Sequence, residues 1–489
     1  MCVTRRLNMN DPNVVIIMAD QLRYDALGDH TPNINKLRDE SATFENAYCA
    51  SPLCVPGRGA FFTGKYPNLT GSLHNAKVEA ERDKGVVGVE HGNLYDLMDN
   101  NWDSWHTGKM DFRTEQKIHT NSASKTHWLP LEPRYKDFLK KHNKKRPGGE
   151  DFRGVLPNLM HGDTTYTSFA STPKTGLYDE DMKYFYDGFI LNDTLHAISN
   201  RDKNKPLLLN AMFFAPHPPL HIPDPWYSRI KDVELPENVG RWGRNQSPLQ
   251  LYNLPGIMGA NKSREDWREV WRVYQGFVSL LDDCVGQVID KLKEEGLYDN
   301  SLIIFTSDHG EMLGSHRLWQ KMCMYEESIK TPLFMKFPKK EDIETRAITE
   351  NVSSVDIVPT LCDYVNLQEP DSCSGVSLMP LLKGEVLERD RIFVQFDGNG
   401  STSNMSRSIL KDKYKLIVDF FKDELFIELY HLGDDPQEME NLVFKAENAQ
   451  LVQNLIHDLK KHMEDTGDAL ALSEDTYETF ISKYQTFAD

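Results

Sequence analysis

Long apolar runs are missing from this chain. The longest among its 489 residues, such as 14–19 and 302–305, are far too short to cross a bilayer, so no membrane partner is expected. Positive charge is in deficit: Lys and Arg total 56 against 74 Asp and Glu, a formal net charge of −18. A surface of that sign repels polyanions, which argues against nucleic-acid partners; an anionic substrate would need its own local cluster of Lys, Arg, metal or helix N-terminus. Cysteine is sparse and unpatterned. Cys2, Cys49, Cys54, Cys284, Cys323, Cys362 and Cys373 are odd in number, scattered, and form no CxxC pair, which suits reduced thiols better than a disulfide framework. Residues 1–10 are basic and lack an apolar stretch before the first strand, so no secretory signal is read. The expected compartment is the cytoplasm, and a secreted chain with its leader trimmed is the alternative. Internal repeats are also absent.

What the sequence does contain is an α/β pattern. Short β-rich runs at 14–19, 207–214, 301–306 and 332–335 alternate with helical spacing, the signature of a largely buried sheet between helices. The clearest helix is expected over 265–295, where Val270, Val273, Phe277, Leu280, Leu281, Cys284, Val288 and Leu292 recur on one face and Gly296 is the stop. Residues 1–385 are read as the main α/β domain, with 113–180 as a polar, irregular insertion. Its basic run 140–146 is read as a solvated loop. Residues 386–489 are read as a smaller α+β domain: strands at 392–396, 414–418 and 425–429, then a helix carrying Leu451, Val452, Leu455, Ile456 and Leu459.

Three of the main strands end in polar residues: Asp20-Gln21, Pro216-His217 and Asp308-His309. Ligands bind open α/β sheets outside the carboxyl ends of the strands, so these residues could converge; each could also be an ordinary turn or cap residue. A second signal lies at 51–64. Pro56 suits the first turn of a helix and Gly64 its end, which puts Cys54 and Arg58 at or beside a helix N-terminus where an anion is favoured. A thiol there would be acidic, leaving open a plain reactive cysteine as well as a buried structural one.

Cys54-x-Pro56-x-Arg58 followed by Thr63-Gly64 resembles the sulfatase signature, in which the cysteine is oxidised after translation to formylglycine; Gly57 stands where the family commonly has Ser. Other landmarks follow in order. The run 13–21, ending in Asp20-Gln21, resembles the family's opening strand, and Thr31-Pro32-Asn33 the segment after it. Gly108-Lys109 resembles the motif with a sulfate-binding lysine, and the loop 215–221 the His-bearing loop. Asp308-His309-Gly310-Glu311 resembles the second metal motif, Lys321 the second lysine, and Leu429-Tyr430-His431 the C-terminal marker. The resemblance covers nearly the whole chain, with 113–180 its least anchored part. Gly108-Lys109-Met110-Asp111 and the run 321–326 look most like the arylsulfatase K branch.

The resemblance implies an alkaline-phosphatase-like fold with a large, mostly parallel central sheet, plus a smaller C-terminal domain with a short antiparallel sheet and a helix. It implies a sulfuric ester hydrolase acting on an aryl or sugar sulfate, a uronate 2-sulfate being the branch's suggestion. Metal ligands would be Asp20, Gln21, Cys54, Asp308 and His309, with Ca²⁺ the expected ion and Mn²⁺ or Mg²⁺ the alternatives. Catalytic residues would be Cys54, Arg58, Lys109, His217 and Lys321, and a formylglycine-generating maturase is an implied partner. Two departures stand out. Many sulfatases have Gly-Lys-x-His, whereas Lys109 is followed by Met110 and Asp111, leaving His119 as the expected substitute; Lys109, His119, His217 and Lys321 are the expected substrate-binding set. Gln21 and His309 replace the common Asp and Asn, a pairing shared with choline sulfatases and phosphonate monoester hydrolases. The alternatives are therefore a phosphonate monoester or phosphodiester hydrolase on the same site, an unmodified anion- or glycan-binding protein, and a thiol hydrolase using Cys54 with a histidine base.

Overall fold

The computed structural model describes residues 11–161 and 164–485. Cys2 and residues 1–10, examined above for a leader, lie outside the described residues. The strand Asn13–Asp20 is buried throughout. Its odd and even positions serve different cores: Val15, Ile17 and Ala19 face one, and Val14, Ile16 and Met18 the other. A strand covered on both faces reads as a continuous apolar run, which is why it was legible.

That strand is central in an eight-stranded sheet. In spatial order the strands are Ala347–Ser353, Ala42–Tyr48, Leu333–Lys336, Ser301–Ser307, Asn13–Asp20, Leu207–Pro216, Asp103–Gly108 and His127–Pro130. Only Leu333–Lys336 runs antiparallel to its neighbours. The expected large, mostly parallel sheet is therefore present. The helix Arg264–Glu294 covers one face; it opens with a capping box in which the Ser263 and Asp266 side chains satisfy each other's backbone N–H. Its apolar stripe, Val270 to Leu292, is buried as the spacing predicts, at roughly 1.5–3 kcal/mol for each large side chain. The helix Cys54–Thr63 lies on the other face, where Phe61 and Phe62 join the second core.

The C-terminal sheet is antiparallel, Arg391–Phe396, Met405–Lys411, Tyr414–Phe421 and Glu424–His431 in sequence order. One face packs on the helix Ala449–Asp465 through Val452, Leu455 and Leu459. The other face packs on the main domain, where Ile392, Val394 and Ile417 meet Leu53, Met322 and Tyr325.

The stretch 113–180, expected to be irregular, is regular over much of its length. It contains the edge strand His127–Pro130, the helix Arg134–Lys141 and an antiparallel hairpin, Arg153–Met160 with Thr164–Ser171. Its polarity reflects exposure on one side rather than missing structure. The six described cysteines are free thiols, and among the described residues no helix is long and apolar enough to cross a membrane.

Candidate active site

The strands Ser301–Ser307, Asn13–Asp20 and Leu207–Pro216 are neighbours that end side by side. Asp308-His309, Asp20-Gln21 and His217 therefore emerge at one edge, the carboxyl end of the parallel sheet. The helix Cys54–Thr63 delivers Cys54 and Arg58 to the same place; all ten of its residues are buried and it stops at Gly64, φ 69°, in the left-handed conformation. Close packing at its start favours glycine: a Cβ on Gly57 would lie 3.0 Å from Ser51 O and 3.3 Å from Asp308 O.

Around Cys54 Sγ stand His309 Nε2 at 3.2 Å, Lys321 Nζ at 3.4 Å, Lys109 Nζ at 3.5 Å and Asp20 Oδ1 at 3.9 Å. His217 also faces this group, where its charge acts on Asp20. Arg58 Nε donates to Asp308 Oδ2 at 2.9 Å and its Nη1 to Lys109 O at 3.1 Å. Its Nη2, 3.6 Å from Asp20 Oδ2, is buried with no hydrogen-bond partner. Lys109 Nζ pairs with Asp20 Oδ2, and Lys321 Nζ donates to Gln21 Oε1. Lys109 is placed by Gly108: at φ +89°, and with a Cβ that would fall 2.1 Å from Met212 O, the position excludes any side chain.

A family profile named Sulfatase matches residues 12–367, and one named N-sulphoglucosamine sulphohydrolase, C-terminal, matches 314–465. The chain belongs to the sulfatase family. It is 26% identical to an arylsulfatase of Clostridium perfringens over 93% of this chain and 94% of that one. It is 26% identical to arylsulfatase K of Xenopus laevis over 89% of this chain and 80% of that one. Among solved structures it resembles a phosphonate monoester hydrolase of Agrobacterium radiobacter, with TM-score 0.76, 22% identity, and coverage of 93% of this chain and 96% of that one. It also resembles a 2-O GAG sulfatase, with TM-score 0.73, 19% identity, and coverage of 94% and 93%. These likenesses support the alkaline-phosphatase-like fold, and the family makes this sulfatase a sulfuric ester hydrolase.

The sulfatase site is electrostatically poised. Burial alone would raise the Asp20 carboxyl, but Lys109, His217, Arg58 and Lys321 hold it well below the usual range. Burial and Asp20 would raise the Cys54 thiol, yet Lys109, Lys321 and His309 pull it well below an ordinary cysteine. Burial keeps His217 below an ordinary histidine, against the pull of Asp20.

The donor set fits a divalent cation. Ligand atoms of Asp20, Cys54, Asp308 and His309 all lie within 4.8 Å of one another and all four residues are buried. Gln21 Oε1 is a neutral oxygen that accepts from Lys321, whose Nζ is also beside Cys54 Sγ. His309 Nδ1 lies 3.0 Å from Gly310 O, so a neutral ring donating there leaves Nε2 free as a ligand.

His119 is not brought to this group. It is exposed and lines a separate hollow of about 370 Å³ with Asp111, Arg113 and Lys117; none of the described contacts joins it to Cys54, Lys109 or Lys321. The position after Lys109 is served by Asp111, whose Oδ2 lies 3.1 Å from Lys109 Nζ. Two further residues support the site, Glu311 from within the second metal motif and Asp187, which gave no local signal. Glu311 accepts from Gln21 Nε2, and Asp187 accepts from the backbone N–H groups of Phe214 and Ala215 at 2.8 and 3.0 Å, fixing the strand end before His217.

Proposed function

We propose that this sulfatase hydrolyses a sulfate ester of a saccharide through formylglycine at position 54 and a divalent cation, Ca²⁺ being favoured by the oxygen-rich ligands. The observation that carries the reading is the surround of Cys54 Sγ: two lysine ammonium groups, a histidine and a carboxylate, all buried or nearly so. Two ammonium groups converging on one atom suit an anionic group such as a sulfate bound over residue 54. Relatives bearing the names ulvan-active sulfatase and N-acetylglucosamine-6-O-sulfatase favour a sugar over a simple aryl alcohol.

When bound, the cation held by Asp20, Gln21, Asp308 and His309 supplies Lewis acidity toward the sulfate oxygens and the nucleophile. Oxidised to formylglycine, residue 54 supplies as its hydrate two hydroxyls on one carbon, one to attack sulfur and one to expel sulfate afterwards. Arg58 clamps Asp308 and keeps Nη2 free to steady a hydroxyl on residue 54. Lys109 and Lys321 bind the sulfate oxygens and draw off charge as the S–O bond to the alcohol lengthens, in a buried setting where such contacts act strongly. His217 faces residue 54 and gives a proton to the departing alcohol oxygen, so a neutral alcohol leaves. A maturase would act on Cys54 before the site closes around it.

A second reading has its own support. Gln21 and His309 occupy the metal positions, and the A. radiobacter phosphonate monoester hydrolase shares the fold over nearly the whole chain. Turnover of sulfate and methylphosphonate esters of one phenol, at fixed metal, separates the two. We expect higher kcat/KM on the sulfate; a preference for the phosphonate overturns the assignment.

A further inference from the structure

Two cations on segments bonded to the Cys54 site are unspoken for. Lys77 and Arg153 are both exposed, and among the described residues neither side chain makes a hydrogen bond or an ion pair. They differ in this from Lys109 and Lys321, which are bound to Asp20 and Gln21.

Each is tied to the pocket by the backbone that carries it. Lys77 follows two residues after Asn75, whose Oδ1 accepts from the Val55 N–H at 3.2 Å, next to Cys54. The Lys77 N–H donates to Gly400 O at 2.8 Å, so the C-terminal loop around Asn399 and Gly400 holds it in place. Arg153 pairs with Ser171 at the base of the hairpin. Ser171 O accepts from Trp319 Nε1 at 2.7 Å and Gln320 Nε2 at 3.0 Å, immediately before Lys321. Ser171 Oγ donates to Pro218 O at 3.4 Å, immediately after His217. Crowding by the surrounding chain lowers the Lys77 ammonium below an ordinary lysine, and the charges acting on it are those of Lys321, Cys54 and Arg153.

Beyond Arg153 the same hairpin face turns apolar. Val155 and Phe169 are cross-strand partners, 60% and 63% exposed. With Arg146, Gly149, Glu150 and Arg153 they line a hollow of about 510 Å³, in which Glu150 is the one acid among the described lining residues. A ring edge and a guanidinium beside an open apolar face suit a pyranose, which offers a C–H face for packing and an anionic substituent for the cation.

We propose that Lys77 and Arg153 form a second anion-binding station for the saccharide whose sulfate enters the Cys54 pocket, and that Val155 and Phe169 carry its neighbouring ring. This deepens the function proposed above and rests on it. One sulfate ester bears a single negative charge, already served by Lys109, Lys321 and the cation. Two further unpaired cations would only repel that cluster unless the substrate brings a second negative charge. The substrate class is therefore a saccharide sulfate with a carboxylate or a second sulfate within one ring of the ester.

The test is steady-state kinetics on three esters: 4-nitrophenyl sulfate, a sulfated disaccharide containing a uronate, and the methyl ester of that uronate. The same disaccharide carrying a second sulfate in place of the carboxylate distinguishes the two anions. We expect wild type to prefer the charged disaccharide over its methyl ester by about tenfold or more, expressed mainly in KM. In Lys77→Gln and Arg153→Gln that ratio shrinks several-fold, Lys77→Arg restores it, and added salt erodes it in wild type. Phe169→Ala lowers kcat/KM on the disaccharides more than on 4-nitrophenyl sulfate. A ratio that neither glutamine variant changes, or an equal loss on all three esters, overturns the proposal. Binding of the charged disaccharide and its methyl ester to the Cys54→Ser protein, read by calorimetry, isolates the station from the chemistry. Discrimination there that vanishes in Lys77→Gln supports the station even if no sulfate is turned over, whereas equal affinity for the two overturns it even if sulfate hydrolysis is confirmed.

Discussion

Arg58 Nε donates to Asp308 Oδ2 at 2.9 Å, and neither side chain reaches solvent. Asp308 ends a central strand and Arg58 lies one turn into the Cys54 helix, so this pair joins the nucleophile's helix to the sheet that carries the metal ligands. Removing one partner of a buried pair leaves the other charge uncompensated. Arg58→Ala should cost about 3–5 kcal/mol in urea unfolding and abolish turnover. Arg58→Lys should recover part of the stability but little activity, because a point charge cannot reach Asp308 and Lys109 O together.

Lys109 and Lys321 are bound to oxygens and packed in no apolar core. Lys109→Ala and Lys321→Ala are each expected to lower kcat by roughly 10²–10³-fold. Circular dichroism melts should stay near wild type for Lys321→Ala, whose partner Gln21 is neutral, and fall for Lys109→Ala, which leaves the buried Asp20 carboxylate without its nearest cation. A Lys321→Ala melt that falls in step with activity would assign that lysine a structural role instead.

His217 should be read through leaving groups. A proton donor matters most for a basic alkoxide and least for a stabilised phenolate. His217→Asn should therefore cost about 10²–10⁴-fold on a sugar sulfate and distinctly less on 4-nitrophenyl sulfate. Equal losses on both would remove the general-acid assignment.

How much of this was legible depended on where burial came from. The strands Asn13–Asp20, Leu207–Pro216 and Ser301–Ser307 showed themselves as apolar runs because both faces are covered. Asp103–Gly108 is just as buried but reads DSWHTG, and no apolar run betrays it. Its polar side chains find distant partners: His106 Nδ1 lies 2.7 Å from Tyr95 Oη, and Thr107 Oγ1 lies 2.7 Å from Thr194 Oγ1. Ala347–Ser353 escaped for the opposite reason, being an edge strand with exposed Glu350. The site was readable where chemistry sits at strand ends and in the helix at Cys54. Asp187 supports it only through tertiary contacts, the backbone N–H groups of Phe214 and Ala215, which no local pattern announces.

A buried acid away from the site gives stability a pH dependence. Glu428 lies at the seam between the two sheets and accepts from Tyr430 Oη at 2.7 Å, Tyr325 Oη at 3.1 Å and the Ser247 N–H at 3.0 Å. Burial, with Asp419 nearby, pushes its carboxyl up to about 8. A folded-state value above the unfolded one means the folded protein holds a proton that the unfolded chain releases. This contribution is complete below the ordinary glutamate range and is lost as pH rises toward about 8. Urea unfolding of wild type should weaken across that window by up to about 1.4 kcal/mol per pH unit from this group, and Glu428→Gln should flatten the slope. An unchanged slope would contradict a protonated Glu428.

The most direct measurement is the mass of the peptide containing Cys54 from protein made in its native host, taken alongside specific activity. Conversion replaces the thiol by a lighter aldehyde. The account predicts that the aldehyde is present, that activity rises in proportion to its fraction, and that thiol alkylation leaves turnover intact. Full sulfate-ester turnover from protein whose peptide carries only cysteine, lost on alkylation, would contradict it.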